Sequence, residues 1–217
     1  MYQLLNGDCL ELMKDIPDDS IDMILCDLPY GTTNCKWDSI IPLDELWAEY
    51  WRIIKEDGAI VLTAVQPFTT QLIHSNMKWF KYCWYWVKNT TTGFCFAKYQ
   101  PMRKVEDVCV FYKKMPKYNP QGLIEVKNPK PRVRKEMARK DWVYRDTLHD
   151  EYTSQWTNYP NNVLEFKSER EFHPTQKPVP LFEYLIKTYT DEGMTILDNL
   201  SFTLFCTKNK FTILQIL

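Results

Sequence analysis

The sequence predicts an α/β protein with a mostly parallel central sheet and helices on both of its faces. In the first half of the chain, apolar runs of strand length alternate with helical patterns. With 217 residues, of which 45% are hydrophobic, the chain is long enough to bury one full core. We therefore expect a single domain over residues 1–217.

The helices are predicted from apolar residues at three- and four-residue spacing. The clearest amphipathic helix is expected to begin after Pro42 and to end at Gly58. Its apolar face comprises Leu43, Leu46, Trp47, Tyr50, Trp51 and Ile54. The other predicted helices are Leu10–Met13, Thr69–Met77, and Leu181–Tyr189 with its end at Gly193. The predicted strands are Ile21–Cys26, Ala59–Leu62, Tyr82–Val87, Val105–Tyr112 and Thr195–Asp198.

The seven cysteines favour a reduced, cytoplasmic protein. Their number is odd and no two form a Cys-x-x-Cys pair, so neither a disulfide framework nor a zinc site is indicated. Only three histidines are present, which argues against a histidine-rich metal centre. Because no apolar run has the length of a membrane span and no signal peptide is recognisable, we expect no membrane partner.

Positive charge is concentrated in the middle of the chain. Residues 113–140 hold ten Lys and Arg against Glu125 and Glu136, a local charge of +8 in a chain of net charge −1. Residues 113–170 also lack regular periodicity, and a loop of this length is usually functional or disordered. The asymmetry predicts a nucleic-acid contact, and the alternative is a solvated basic loop. The residues expected to make this contact are Lys130, Arg132, Arg134, Lys135, Arg139 and Lys140.

The most informative motif follows the first buried strand. It consists of Asp27, Leu28, Pro29 and Tyr30. In open α/β sheets, ligands bind at the carboxyl ends of the strands. A carboxylate, a rigid proline and an aromatic ring at that place suit a flat ring that bears an amine, because the carboxylate stabilises positive charge developing on nitrogen. Taken alone, the motif is also compatible with a simple strand and proline turn.

A second motif precedes the last predicted helix. It reads His173, Pro174, Thr175, Gln176, Lys177 and Pro178. The hydroxyl of Thr175 and the ammonium of Lys177 are groups that bind a carboxylate. The alternative is a loop that only caps the helix.

Together the two motifs resemble those of amino-group DNA methyltransferases, and the likeness covers roughly residues 1–199. The first is similar to their D-P-P-Y sequence, with Leu28 in place of the first proline, and the second closely matches a loop of the same family. The catalytic motif comes first and the cofactor motifs last, as in the circularly permuted β group common in restriction–modification systems and phages. The resemblance implies a Rossmann-like fold and S-adenosylmethionine as the cofactor.

The resemblance also implies roles for individual residues. The target base and its amine would be bound by Asp27, Leu28, Pro29 and Tyr30. The cofactor would be bound by Asp8, Thr175, Lys177 and Asp198, with its methionine carboxylate at Thr175 and Lys177. Double-stranded DNA would be recognised by the insertion at 113–170. An acid at the head of the motif favours adenine N6, because cytosine-N4 enzymes usually have serine there.

The C-terminus departs from the family pattern. In these enzymes a glycine-rich turn follows the residue at the place of Asp198 and lets the backbone approach the cofactor. Here no glycine follows, and bulky Leu200 and Phe202 occupy that place. The next strand has only a faint pattern at Lys210–Gln215. We therefore expect a truncated cofactor segment, an aberrant tail at 200–217, and low stability through exposed apolar surface.

Three interpretations stay open at this point. The first is an adenine-N6 DNA methyltransferase whose C-terminal cofactor segment is damaged, so that the loss of the glycine-rich turn puts its activity in doubt. A reading-frame change near the codon of Asn199 would explain this damage. The second is a non-catalytic DNA-binding remnant. The third is an intact enzyme for cytosine N4 or RNA. The sequence leaves open the target sequence, the oligomeric state and a companion restriction endonuclease.

Overall fold

The computed structural model describes residues 2–31, 39–133, 151–169, 176–199 and 212–216. The chain divides into two compact units, Met1–Asn119 with Asn161–Leu217, and Pro120–Pro160. In chain order the elements are β1 (Tyr2–Leu5), α1 (Cys9–Met13), β2 (Ile21–Asp27), α2 (Leu43–Ile53), β3 (Ile54–Ala64), α3 (Phe68–Ser75), β4 (Phe80–Thr92), a 3-10 turn (Phe94–Phe96), β5 (Arg103–Phe111), β6 (Ile124–Glu125), β7 (Pro131–Val133), β8 (Glu151–Thr153), β9 (Trp156–Thr157), β10 (Val163–Glu165), α4 (Val179–Tyr189), β11 (Thr195–Asp198) and β12 (Thr212–Ile216).

The first unit contains an eight-stranded sheet of order β1-β12-β11-β2-β3-β5-β4-β10. The strands from β1 to β3 in this order are parallel, β5 is antiparallel to both of its neighbours, and β10 is parallel to β4. β4 therefore runs in the same direction as β2. The carboxyl ends of these strands, β5 excepted, meet at one end of the sheet, which we call the carboxyl end; it includes Asp27, Thr92 and Asp198.

Helices cover both faces of the sheet, so the predicted fold class is confirmed. Alternate residues of β2 demonstrate this. Ile24 and Cys26 pack in a core cluster with α1, α2 and α3, whereas Met23 and Leu25 pack in another cluster with α4. β2 is buried on both faces, which explains its almost continuous apolar sequence.

The predicted end of the amphipathic helix was wrong. α2 begins after Pro42 as expected but ends at Ile53, and Gly58 lies inside β3. A Cβ atom at Gly58 would lie 2.6 Å from the side chain of Ile54 and 3.0 Å from the carbonyl oxygen of Asp22 on β2. The tight packing of Gly58 against Ile54 of its own strand and against the neighbouring strand β2, and not a helix end, accounts for this glycine.

The structure also corrects two expectations near the C-terminus. α4 ends at Tyr189, and Gly193, with φ of +88°, belongs to the turn before β11. Thr212–Ile216 forms a strand between β1 and β11, so the sheet does not lack it. Its Thr-Ile-Leu-Gln-Ile sequence suits a strand that is paired on both sides and largely buried. The predicted tail from 200 to 211 lies outside the described residues.

The second unit contains two short antiparallel pairs in its described part, β6 with β9 and β7 with β8. Asn158, with φ of +61°, donates from Nδ2 to the carbonyl oxygen of Gly122 at 2.7 Å. β10, although it falls within the predicted insertion, belongs to the sheet of the first unit. In the described ranges, no helix has both the length and the apolar character needed to cross a membrane.

Candidate active site

The predicted catalytic motif stands at the carboxyl end of the sheet. Asp27 is the last residue of β2 and lies opposite Thr63 of β3. Its Oδ1 accepts hydrogen bonds from the hydroxyl of Thr63 and, at 2.5 Å, from the hydroxyl of Tyr30. The two hydroxyl oxygens are 2.9 Å apart. Two neighbouring strands and the turn after β2 thus hold one carboxylate in place.

Lys177 brings a buried positive charge to this carboxylate. Its side chain is 6% exposed, and its Nζ lies 2.9 Å from Oδ1 of Asp27 and 3.2 Å from Oε2 of Glu106. The other oxygen of Glu106 pairs with Nζ of Lys88 at 2.9 Å. Lys88, Glu106, Lys177 and Asp27 therefore form a row of alternating charges, which we call the charge chain.

Two members of the charge chain, Lys177 and Glu106, stay ionised although they are buried. Burial alone would lower the pKa of Lys177, but the carboxylates of Asp27 and Glu106 overcome this effect and keep that pKa well above its usual value. Burial alone would raise the pKa of Glu106, but the ammonium groups of Lys177 and Lys88 bring it below its usual value. Oε2 of Glu106 accepts no hydrogen bond within the described residues, although Lys177 lies at ion-pair distance. Charge, more than hydrogen-bond geometry, holds this pair.

Tyr30 is half-buried and packs within the cluster. Its ring centroid lies 5.5 Å from that of Phe68 and 5.2 Å from Nζ of Lys177. Burial and the nearby carboxylate of Asp27 raise the pKa of Tyr30 well above its usual value, so its hydroxyl stays protonated and donates. The side chain of Asp27 is 28% exposed. Its hydrogen bonds within the described residues all fall on Oδ1, which leaves Oδ2 for an incoming N–H group.

A second acidic strand end lies beside the first, because β11 is the neighbour of β2. Asp198 ends β11, is buried, and accepts a hydrogen bond at 3.3 Å from Nε2 of Gln215 on β12. Asn199 is fully buried, and its Oδ1 accepts from the hydroxyl of Tyr50 at 2.5 Å. Its Nδ2 makes no hydrogen bond with any described residue. A buried donor without an acceptor is costly, so this amide is a candidate ligand-binding group.

The other predicted cofactor residues have different surroundings. Asp8 follows β1 and caps α1, because its carboxylate accepts from the backbone N–H groups of Leu10 at 2.9 Å and Glu11 at 3.3 Å. Thr175 lies outside the described residues. Asp8 therefore lies after a strand whose carboxyl end belongs to the same end of the sheet as Asp27 and Asp198.

The predicted basic contact residues lie mostly outside the described ranges. Lys130 is exposed and Arg132 lies in β7, both within the second unit. Those outside the description are Arg134, Lys135, Arg139 and Lys140. Their contact with nucleic acid stays a prediction.

Sequence reasoning missed three members of the site, Thr63, Lys88 and Glu106. Each had a signal. Thr63 directly follows the predicted strand Ala59–Leu62, as Asp27 follows its own strand. Glu106 and Asp107 are the two charged residues inside an otherwise apolar strand prediction, and a charged residue is rarely buried unless it is paired. Lys88 follows the neighbouring strand prediction.

The thiol next to the motif is not a nucleophile. Cys26 is fully buried, and burial raises its pKa well above the usual value, so it stays a protonated thiol. Within the described ranges, no group of three or more His, Cys, Asp and Glu residues is placed to hold a metal ion.

The fold and this site define the class of protein. The structure aligns over 100% of this chain and 91% of the solved structure of M1.HpyAVI, with a TM-score of 0.64 and 18% identity. A second structure of M1.HpyAVI, in complex with SAM, aligns with a TM-score of 0.62. The chain thus has a methyltransferase fold.

The DNA methylase family model matches residues 21–200, and the chain belongs to this family of N6 and N4 methyltransferases. Among curated relatives, the Type II methyltransferase M.HpaI of Haemophilus parainfluenzae is 25% identical, over 90% of this chain and 62% of M.HpaI. The DNA adenine methyltransferase YhdJ of Escherichia coli (strain K12) is 27% identical, over 90% of this chain and 69% of YhdJ. The chain therefore spans less than two thirds of the length of M.HpaI.

Proposed function

We propose that the chain transfers a methyl group from S-adenosylmethionine to N6 of adenine in double-stranded DNA. The observation that carries this proposal is the carboxylate of Asp27, held at the carboxyl end of the sheet by two hydroxyls and a buried ammonium. The names of M.HpaI and YhdJ support a DNA substrate, and that of YhdJ supports adenine.

The site activates the amine through hydrogen bonds that strengthen as charge develops. The lone pair of the adenine amine is delocalised into the ring, so the amine is a weak nucleophile. Oδ2 of Asp27 and the backbone carbonyl of Leu28 accept its two N–H groups, and the carboxylate stabilises the positive charge that appears on nitrogen during transfer. As the new nitrogen–methyl bond forms, the sulfur–methyl bond of the cofactor would break and its electron pair would stay on sulfur, so that the cofactor leaves as a neutral thioether. The nitrogen would then lose one proton to Asp27 or to water and become a neutral methylamino group.

The polar groups at the end of β11 fit the cofactor. S-adenosylmethionine supplies an electrophilic methyl group on a positively charged sulfur. Asp198 offers a carboxylate acceptor, and Asn199 offers a buried N–H donor without a partner among the described residues. Asp8, at the end of β1, adds a further acid at the same end of the sheet. Because β11 and β2 are neighbouring parallel strands, a cofactor held at the end of β11 would lie beside Asp27, which supports the proposal.

Lys177 has a second role in this proposal, together with Thr175. Both were expected to hold the methionine carboxylate of the cofactor. Within the described residues, the ion pairs of Lys177 are with Asp27 and Glu106. Holding a third carboxylate therefore requires Lys177 to share its ammonium or to exchange one partner, which couples cofactor binding to the charge on Asp27.

A second candidate function is a DNA-binding remnant without catalysis. The absence of glycine after Asp198 and the presence of Leu200 and Phe202 favour it, since bulky side chains obstruct the approach of the backbone to a cofactor. The strand β12, placed between β1 and β11, favours an intact cofactor edge instead. Both candidates use the basic residues of the second unit to contact phosphates, and both predict salt-dependent DNA binding.

The test is transfer of labelled methyl from S-adenosylmethionine to unmethylated genomic DNA, followed by identification of the modified base. We expect N6-methyladenine. Asp27→Ala should reduce the rate at least about 100-fold, the usual cost of removing a group that stabilises transition-state charge. Asp44→Ala, an exposed acid in the first turn of α2, is the matched control and should leave the rate unchanged.

Each outcome separates the candidates. If N4-methylcytosine is found in place of N6-methyladenine, the target atom is N4 of cytosine. If only RNA is labelled, the substrate is RNA and not DNA. A folded protein that binds DNA but transfers no methyl group would be the remnant. In that case a titration with S-adenosylmethionine would show whether the defect lies at the cofactor groups.

A further inference from the structure

Residues 93–102, which we call the aromatic loop, connect β4 to β5 and expose three large rings. Phe94 is 80% exposed, Phe96 is 56% exposed and Tyr99 is 87% exposed. Single apolar residues are common on protein surfaces, but three aromatic side chains within six residues form a patch of the kind that marks an interaction site.

The aromatic loop is ordered by its own backbone. Gly93, with φ of +90°, adopts a conformation that favours glycine and starts a 3-10 turn. The N–H of Phe96 donates to the carbonyl of Gly93 at 3.0 Å, and the N–H of Tyr99 donates to the carbonyl of Phe96 at 2.8 Å. A loop that is already ordered loses little conformational entropy when it binds a partner.

The loop leaves the sheet at the same end as the catalytic motif. β4 runs parallel to β2, so Thr92 at its end and Asp27 both belong to the carboxyl end. The hydroxyl of Thr92 accepts a hydrogen bond from Nζ of Lys88 at 3.1 Å, and Lys88 begins the charge chain that ends at Asp27. The base of the aromatic loop is therefore connected to the active carboxylate by direct side-chain contacts.

The charge around the rings favours an anionic partner. Between Lys88 and Glu106 the sequence contains no acidic residue. Lys98, Arg103 and Lys104 are exposed there. Flat rings interleaved with positive charges match nucleic acid, in which bases present planar faces and phosphates carry negative charge.

We propose that the aromatic loop enters the DNA beside the target base and stacks on bases that lose their neighbour when the target is extruded. The inference rests on the proposed function, because a base reaches Asp27 only by leaving the duplex. Phe94, Phe96 and Tyr99 offset part of the lost stacking energy, because bases stack favourably on aromatic side chains. Lys98 and its basic neighbours contact the adjacent phosphates.

Photocrosslinking of the full chain tests the loop directly. Phe96→p-benzoylphenylalanine is irradiated with a labelled, unmethylated DNA duplex of random sequence. The matched control is Met77→p-benzoylphenylalanine, because Met77 is 60% exposed but precedes β4 at the opposite end of the sheet. We expect a protein–DNA cross-link from position 96 and none from position 77.

A binding measurement gives the size of the effect. The triple variant Phe94→Ala, Phe96→Ala and Tyr99→Ala should raise the Kd for DNA roughly tenfold or more, since one stacked base is worth about that factor. Its Tm and its affinity for S-adenosylmethionine should stay unchanged. Phe96→Tyr keeps an aromatic ring and should bind DNA as the parent chain does. If the triple variant does not fold, cross-linking from the single position decides.

The experiments distinguish failure of the loop proposal from failure of the proposed function. A cross-link from position 96 without methyl transfer would support the loop and count against the enzyme. Methyl transfer with no cross-link from position 96, or with an unchanged Kd in the triple variant, would overturn the loop proposal alone. A protein–protein cross-link from position 96, with a dimer in solution, would assign the rings to a second copy of the chain and would also overturn it.

Discussion

Two neighbouring strands end in an acid at the carboxyl end of the sheet, and the surroundings of the two acids differ. At the end of β2, Asp27 is held by two hydroxyl groups and by the ammonium of Lys177. At the end of β11, Asp198 accepts from the amide of Gln215. The next residue, Asn199, has a side-chain NH2 group without an acceptor in the described part of the chain.

The difference teaches which end is complete without a ligand. The charges around Asp27 are balanced within the protein, so the carboxylate is in place before a substrate arrives. The amide oxygen of Asn199 is hydrogen-bonded, whereas its buried nitrogen has no acceptor among the described residues, and under the proposed function a bound cofactor would supply one. Under the proposed function, mutations around Asp27 should therefore change the stability of the protein and the rate of methyl transfer. Mutations around Asn199 should change the affinity for the cofactor.

The largest expected effect comes from breaking the charge chain at its buried ammonium. Lys177→Met removes the buried ammonium that lies between Asp27 and Glu106. Asp27 then loses its ion pair, and Glu106 keeps only the one with Lys88 among the described residues. We expect a loss of about 3–5 kcal/mol in the free energy of unfolding, measured by urea denaturation. Lys187→Met removes an exposed lysine that pairs with Glu183 and should cost less than about 1 kcal/mol. Equal losses in the two variants would contradict the charge chain.

The next effect is on pH dependence and concerns Glu106. Its folded-state pKa lies below the usual value of 4.5, so ionised Glu106 stabilises the folded chain above that pH and this stabilisation is lost as the pH falls through the folded pKa. Glu106→Gln should cost about 1.5–3 kcal/mol at neutral pH, since it removes a charged hydrogen bond. Urea denaturation from neutral to acidic pH should show a shallower decline for the variant. A decline parallel to that of the parent would refute this role.

A smaller effect is expected at the cofactor end. Asn199→Ala removes the amide whose Nδ2 makes no hydrogen bond with a described residue. The Kd for S-adenosylmethionine should rise about 3–10-fold, which corresponds to the loss of one hydrogen bond. Calorimetric titration measures it. Tyr50→Phe is the control, because it removes only the hydroxyl that donates to Asn199. That control should lower stability by about 1 kcal/mol with little change in cofactor affinity; the reverse pattern would assign Asn199 a structural role alone.

The smallest effect is expected from Tyr30→Phe. The variant loses one hydrogen bond to Asp27 but keeps the ring, Thr63 and Lys177 around the carboxylate. The kcat for methyl transfer should fall a few-fold, in line with about 1 kcal/mol for one hydrogen bond. Tyr30→Ala, which also removes the ring, should reduce kcat further. A loss with Tyr30→Phe as large as that of Asp27→Ala would mean that the hydroxyl contacts the reacting atoms.

The predictable part of the fold consists of elements with strong local signals. β2, α2, β5 and β11 were located from apolar runs and helical spacing, and only their ends moved by a few residues. Gly58 led to a wrong helix end, because a glycine can either end a helix or allow two strands to approach closely. The sequence does not show which of the two applies. The sequence pattern of β12 is only faint. Its pairing with β1 and β11, and not its own pattern, makes it a strand inside the sheet.

The candidate site divides in the same way. Asp27, Leu28, Pro29 and Tyr30 were recognisable because they are contiguous and follow a buried strand. The pairing of Lys177 with Asp27 and Glu106 was not recognisable from the sequence. These residues are about 70–150 positions apart and meet only through the strand order β2-β3-β5-β4.

The sequence by itself determined the class of fold, the strand that ends at Asp27 and the family of the protein, because these depend on local patterns and on contiguous motifs. Only the tertiary structure decided which charges surround Asp27, which buried amide has no acceptor among the described residues, and that an exposed aromatic loop leaves the sheet at its carboxyl end. Those properties arise from strand order and direction, which bring together side chains that are far apart in the chain. A local sequence pattern does not show which distant residues will meet.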